Sequence, residues 1–104
     1  MKNDRNFYQQ CYELVKLVPK GKVTTYGAIA KALNSKAVRA VGTAMAKNPH
    51  IFVVPCHRVV RSDGTIGQYA LGTDEKEQLL TAEGIEIVGG KINDFAQVMY
   101  QFDR

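Results

Sequence analysis

Between Asp4 and Val18 the apolar residues Phe7, Cys11, Leu14, Val15 and Val18 recur every three or four positions, the spacing of one helix face. Asp4 is placed to cap that helix, and Pro19 with Gly21 ends it. Cys11 falls on the apolar face, as expected of a chemically idle core thiol. Two short alanine-rich segments follow. YGAIAKAL (26–33) is preceded by Thr24 and Thr25, either of which can cap it, and breaks at Asn34 and Ser35. KAVRAVGTAMAK (36–47) has Ser35 as its expected cap and Asn48-Pro49 as its stop. Two short helices joined by a tight polar turn predict a helix-turn-helix over about 24–48. Small residues at Ala28, Ala32, Ala40, Gly42 and Ala44 allow close helix approach. A plain helical corner inside a core has the same pattern, so nucleic-acid binding does not follow from it alone.

Beyond Pro49 the periodicity changes. IFVV (51–54) is a short apolar run leading into PCHR, and VVRSDGTIGQY (59–69) reads as a hairpin or loop turning at Asp63-Gly64. Thr73 is the expected cap of a helix TDEKEQLLTAEG, with Asp74 and Glu75 favouring its dipole and Gly84 stopping it. EIVGGKI predicts a small hairpin at Gly89-Gly90, and NDFAQVMYQF a final short helix. The predicted fold is mainly α with a small β element. No repeat or linker divides the 104 residues, so one domain is expected over 1–104.

Composition narrows the classes. Two cysteines, neither at zinc-finger spacing, argue against a disulfide scaffold and a structural zinc; no metal and no cofactor are expected. No apolar run approaches the ~18 residues that span a bilayer. The start MKNDRNFYQQC lacks a signal-peptide core, so the expected location is the cytoplasm, or the nucleus in a eukaryote. The net charge of +4 is compatible with DNA as a partner, and no Lys/Arg run marks a disordered basic arm.

VPCHRVV (54–60) carries the candidate chemistry. A thiol near its ordinary pKa of ~8.5 reacts slowly at neutral pH and needs a base or a nearby cation. His57 is the candidate base, and Arg58 adds positive potential or holds local structure. Neighbours in a strand point to opposite faces, so Cys56 and His57 require a helical turn or a bridging water; Pro55 favours a bend. A carboxylate would orient the histidine. Asp63, Asp74, Glu75, Glu77, Glu83 and Glu86 are candidates among which spacing does not choose. A buried cysteine below a histidine bonded to backbone fits the same seven residues.

PCHRVV resembles the active-site signature of the O6-alkylguanine-DNA alkyltransferases, which move an alkyl group from guanine onto a cysteine. TTYGAIAKAL, AVRAVGTAMAKNP, VPCHRVVRSDGTIGQY and EKEQLLTAEG resemble family segments in the same order, covering roughly residues 7–86. The resemblance is to the family's C-terminal helix-turn-helix (winged-helix-like) domain alone, without its usual N-terminal α/β domain. It implies that Cys56 accepts the alkyl group, that His57 deprotonates it through water, and that Glu83 polarises His57. Tyr26 would meet the DNA backbone and donate to the flipped guanine, and Arg39 would fill the gap in the duplex. Thr25, Ala40, Gly42 and Lys47 complete the implied DNA face. Asn48 would join the recognition helix to the active-site segment 54–72. Pro55, Val59 and Tyr69, with Ala70 and Leu71, would form the pocket, the carbonyls of Cys56 and Val59 reading the guanine amine. The implied partner is double-stranded DNA containing O6-alkylguanine, bound by a monomer, with cooperativity along the duplex left open.

YALG departs from the serine and glycine common after the family's tyrosine. Ala70 offers no hydroxyl, and Leu71 is expected to narrow the pocket. Three other readings compete. Alkyltransferase-like proteins are similar and flag alkylated DNA for excision repair, but carry another residue in place of the cysteine. A small DNA-binding regulator gives PCHR, Glu83 and Tyr69 no purpose. A cysteine hydrolase would turn over.

Overall fold

The computed structural model describes residues 4–51 and 53–102, with side chains from Phe7 onward. Helix α1 (Asp4–Val15) buries the expected face, with Cys11, Leu14 and Val15 at most 2% exposed. The expected cap by the Asp4 side chain lies outside what is described. The regular helix stops three residues before Val18. Leu17 and Val18 bond instead to the carbonyls of Leu14 and Val15, a tightened helix end that Pro19 cannot extend. The Val18 carbonyl is thereby left free for a tertiary partner.

Thr25 is the cap of α2 (Tyr26–Ala32): its Oγ1 accepts the Ala28 amide at 2.9 Å. Thr24 is fully buried, and its hydroxyl has no partner among the described residues. The helix closes with Ser35 N–H on Ala30 O (2.9 Å) and Asn34 N–H on Lys31 O (3.0 Å), Asn34 taking a left-handed φ of 55°. Helix α3 (Val38–Ala46) starts two residues later than the pattern predicts. The Ser35 hydroxyl holds the Ala37 amide at 3.0 Å, which keeps 35–37 as a turn. Ile29, Ala30, Val41 and Ala44 pack these helices against Cys11, Leu14 and Val15 of α1. The result is a helix-turn-helix seated on α1.

A strand pair with no alternation to announce it organises the centre. β1 (Thr24–Thr25) runs parallel to β2 (Val59–Val60), with Thr24 opposite Val59 and Thr25 opposite Val60. β1 leads directly into Tyr26, and β2 leaves the turn that carries Cys56. Two residues per strand therefore fix the helix-turn-helix against the segment that carries Cys56. After β2 the chain turns at Asp63-Gly64, where Asp63 Oδ1 accepts the Thr65 amide and hydroxyl at 3.0 and 2.7 Å. It then bridges to Lys91 rather than continuing along β2.

Helix α4 (Thr73–Ala82) corrects one expectation. Gly72, not Thr73, holds the cap position, at φ 102°, and no side chain caps the helix. The Gly72 amide closes a turn onto Tyr69 O at 3.0 Å, so the loop enters the helix one residue early. β3 (Ile87–Val88) and β4 (Lys91–Ile92) form the expected hairpin, with Gly89 and Gly90 at φ 60° and 78°. Helix α5 is one turn, Phe95–Val98, shorter than the pattern predicts. Beyond it Tyr100 N–H donates to Val23 O at 2.7 Å, and pairing with Val23 replaces further helix. A second core of Val23, Val60, Ile66, Leu80, Ile85 and Ile92 fills the space beneath α4. No described helix is long and apolar enough to cross a membrane.

Candidate active site

Pro55 leads into a single 3-10 turn, Cys56–Arg58. At three residues per turn the side chains fan out about 120° apart, so adjacent residues face different spaces. Cys56, 4% exposed, lines a cavity of about 640 Å³, while His57, 8% exposed, lines a smaller one with Arg58 and Glu83. Tyr69 borders both, its ring edge-on to the His57 imidazole at 6.3 Å between centroids.

Of the six carboxylates that the sequence leaves open, Glu83 reaches the histidine. Its Oε2 lies 2.8 Å from His57 Nε2 and accepts Arg58 Nη2 at 2.8 Å, while Oε1 accepts Arg58 Nε at 3.0 Å. Arg58 Nη1 donates to the free Val18 carbonyl at 2.8 Å. Glu83 sits at the end of α4, where Gly84 at φ 92° lets Gly84 and Ile85 bond back to Thr81 and Leu80. A β-carbon there would be strained, and the glycine thus sets the carboxylate's position.

The electrostatics follow from this geometry. Burial disfavours charge on Glu83, but hydrogen bonds from Arg58 and His57 outweigh it and hold the carboxyl below its ordinary range. Burial pushes His57 below its ordinary value, against the pull of Glu83. A neutral imidazole beside an ionised carboxylate carries its proton on Nε2, directed at Glu83, and keeps the Nδ1 lone pair for another proton.

Lys76 is the buried charge behind the site that sequence reasoning missed. It is fully buried, donates to Val59 O at 2.7 Å and Gln68 O at 2.9 Å, and lies 6.0 Å from the Tyr26 ring centroid. Burial lowers its pKa to about 8, so it remains an ammonium at neutral pH. Its sequence signal was its place one turn before Leu80 on the inward face of α4. Lys76→Ala leaves two carbonyls without their donor, and we expect a loss of about 3 kcal/mol in urea unfolding.

The larger cavity gathers Tyr26, Arg39, Gly42, Cys56, Tyr69 and Ala70 of the expected site residues. Leu71 does not line it and is 53% exposed, so the expected narrowing of the pocket is not found. The chain passes Leu71 outward in the turn that enters α4. Thr25 is 6% exposed and spends its hydroxyl on the α2 cap, and Ala40 and Lys47 also lie off the cavity wall. Pro55 borders the smaller cavity. Val59 is fully buried with its carbonyl on Lys76. Asn48 donates to Val54 O and accepts the His50 amide, both at 2.9 Å, tying the end of α3 to the segment before Cys56. Burial raises the phenol of Tyr26, which therefore keeps its proton. Burial also raises the Cys11 thiol to about 11, leaving it unreactive at neutral pH. Among the described residues no three His, Cys, Asp or Glu gather as a metal site.

Residues 6–85 match the family model described as 6-O-methylguanine DNA methyltransferase, DNA binding domain. A methylated-DNA–protein-cysteine methyltransferase of Thermococcus kodakarensis is 54% identical over 81 residues, covering 77% of this chain and 45% of that protein. A bifunctional methyltransferase/endonuclease of Picrophilus torridus is 44% identical over 89 residues, covering 85% of this chain and 30% of its own length. The chain thus spans less than half of either relative. Among solved structures, S. pombe Atl1 in complex with damaged DNA containing O6-carboxymethylguanine superposes with a TM-score of 0.83 at 34% identity, covering 97% of this chain and 99% of that one.

Proposed function

The chain belongs to the 6-O-methylguanine DNA methyltransferase family, and on that premise we propose that it repairs double-stranded DNA by moving an alkyl group from O6 of guanine to Cys56. One observation carries the reading: a thiol lies on the wall of a nucleotide-sized cavity, and the next residue is a histidine bonded to a buried carboxylate. Residues 24–48 bind the duplex, with Arg39 on the exposed face of α3 replacing the extruded base and Gly42 allowing close approach to the minor groove. Thr25, Ala40 and Lys47 support that face, and Asn48 and Pro55 shape the segment 54–72 that carries the thiol. The Val59 carbonyl retains a second lone pair beside its bond to Lys76 and can read the guanine amine.

His57 Nδ1 takes the Cys56 proton through a bridging water, and Glu83 stabilises the imidazolium formed. The thiolate attacks the alkyl carbon; the S–C bond forms as the C–O6 bond breaks. Guanine takes the electron pair and is protonated on the ring, with the Tyr26 hydroxyl donating to it. No metal or cofactor enters this sequence. The thioether is stable, so each molecule acts once.

His57 must be neutral to act, and its folded pKa lies below the ordinary 6.5. The single-turnover rate therefore rises with pH to a midpoint below 6.5 and is level through neutrality. Stability falls over the same acid range, because the unfolded histidine binds protons that the folded one refuses. Rates measured from pH 5 to 8 check this; a midpoint above 6.5 contradicts it.

The superposition on Atl1, over 97% of this chain, favours a second reading, lesion binding without transfer. Counting equivalents separates them. With lesion duplex in excess, repaired guanine should plateau at one equivalent per protein. No repair despite tight binding establishes the second reading, and continued turnover excludes both.

A further inference from the structure

Arg61 follows β2 and lines the same cavity as Cys56 and Tyr26. Its Cγ and Nε lie 3.5 and 3.6 Å from the position a β-carbon on Gly67 would take, and the Tyr26 hydroxyl lies 3.7 Å from that point. The arginine is thus laid across Gly67 beside the phenol. Among the described residues it forms no ion pair. The carboxylate of Asp63 is close enough to feel its charge, but Asp63 Oδ1 is taken by Thr65. The cavity wall holds two cations, Arg39 and Arg61, and no Asp or Glu. Guanine and a methyl group are both neutral and give neither cation a partner. Arg39 stands on the exposed face of α3, where the duplex would lie; Arg61 stands on the side of the thiol.

We infer that Arg61 is a specificity residue for O6 adducts ending in a carboxylate, of which carboxymethyl is the smallest. The inference rests on the transfer reaction proposed above. Sulfur attacks the methylene carbon, the S–C bond forms, the C–O6 bond breaks, and guanine takes the electron pair and a proton. The carboxylate keeps its charge, and no oxidant or co-reactant is needed. The guanidinium offsets repulsion between thiolate and carboxylate and presents a fork that matches both oxygens. The cavity of about 640 Å³ has room for the larger group.

The test compares single-turnover transfer from duplexes carrying O6-methyl-, O6-carboxymethyl- or O6-carbamoylmethylguanine, the last being the neutral isostere. In Arg61→Gln the ratio of carboxymethyl to carbamoylmethyl transfer should fall by at least about tenfold, with part of it retained in Arg61→Lys. In the unaltered protein the same ratio should fall with added salt, a reading that does not depend on how the variants fold. An unchanged ratio overturns the inference even if both rates drop, because Arg61 then serves a DNA phosphate common to all three duplexes. Methyl transfer without carboxymethyl transfer defeats this inference alone. Absence of every transfer defeats the reaction it rests on.

Discussion

Glu83→Gln lowers the transfer rate by about two orders of magnitude and the melting temperature by roughly 10 °C or more. The carboxylate accepts one bond from His57 and two from Arg58 while nearly buried. An amide keeps one acceptor oxygen and turns its NH₂ toward a donor. Whichever oxygen remains, Arg58 loses one of its two bonds to this side chain and the charge opposite it, and breaking a buried pair in this way costs about 3 kcal/mol. The kinetic loss has a separate origin. Without the negative charge, the imidazolium that forms when Cys56 gives up its proton is unsupported, and general-base catalysis of this kind contributes about 10²–10⁴-fold. Thermal unfolding followed by circular dichroism reads the first effect and single-turnover repair the second. A destabilised variant that repairs at the full rate would make Glu83 a purely structural residue.

Cys56→Ala removes transfer altogether and leaves lesion binding in place. The residue contributes a small buried side chain at the cavity wall, so its loss leaves a gap of one sulfur and does not disturb the α2–α3 surface. Residual repair in this variant would require a second nucleophile. Cys11 cannot supply it, being fully buried with a raised pKa. Gel-shift titration with a duplex containing O6-methylguanine, alongside an assay of restored guanine, distinguishes lost chemistry from lost binding.

The helices α2 and α4 were legible because caps and stops are local: Thr25, Asn34 and Gly84 each act within a few residues of themselves, whereas Ser35 holds the Ala37 amide ahead of α3 and does not cap it. The hairpin at Gly89-Gly90 was legible for the same reason. Cys56 and His57 stood out by chemistry, but the choice of Glu83 came from resemblance, because the pair is closed by contact across 26 positions. The β1–β2 pairing joins residues still farther apart, Thr24 to Val59, with two residues a side, too few to show a period. Lys76 was hidden by its type, since a lysine in a polar helix start reads as solvated until the carbonyls of Val59 and Gln68 are seen to converge on it. The early ends of α1 and α5 have different causes: α1 tightens into i→i+3 bonds ahead of Pro19, which leaves the Val18 carbonyl for Arg58, whereas the Tyr100 amide is taken by Val23 in place of further helix.

The intact mass of the full chain, taken after incubation with duplex DNA carrying one O6-methylguanine, tests the central claim most directly. The account predicts a stoichiometric gain of about 14 Da, the methyl replacing the thiol proton, located on Cys56. An unchanged mass with the lesion tightly bound would contradict it.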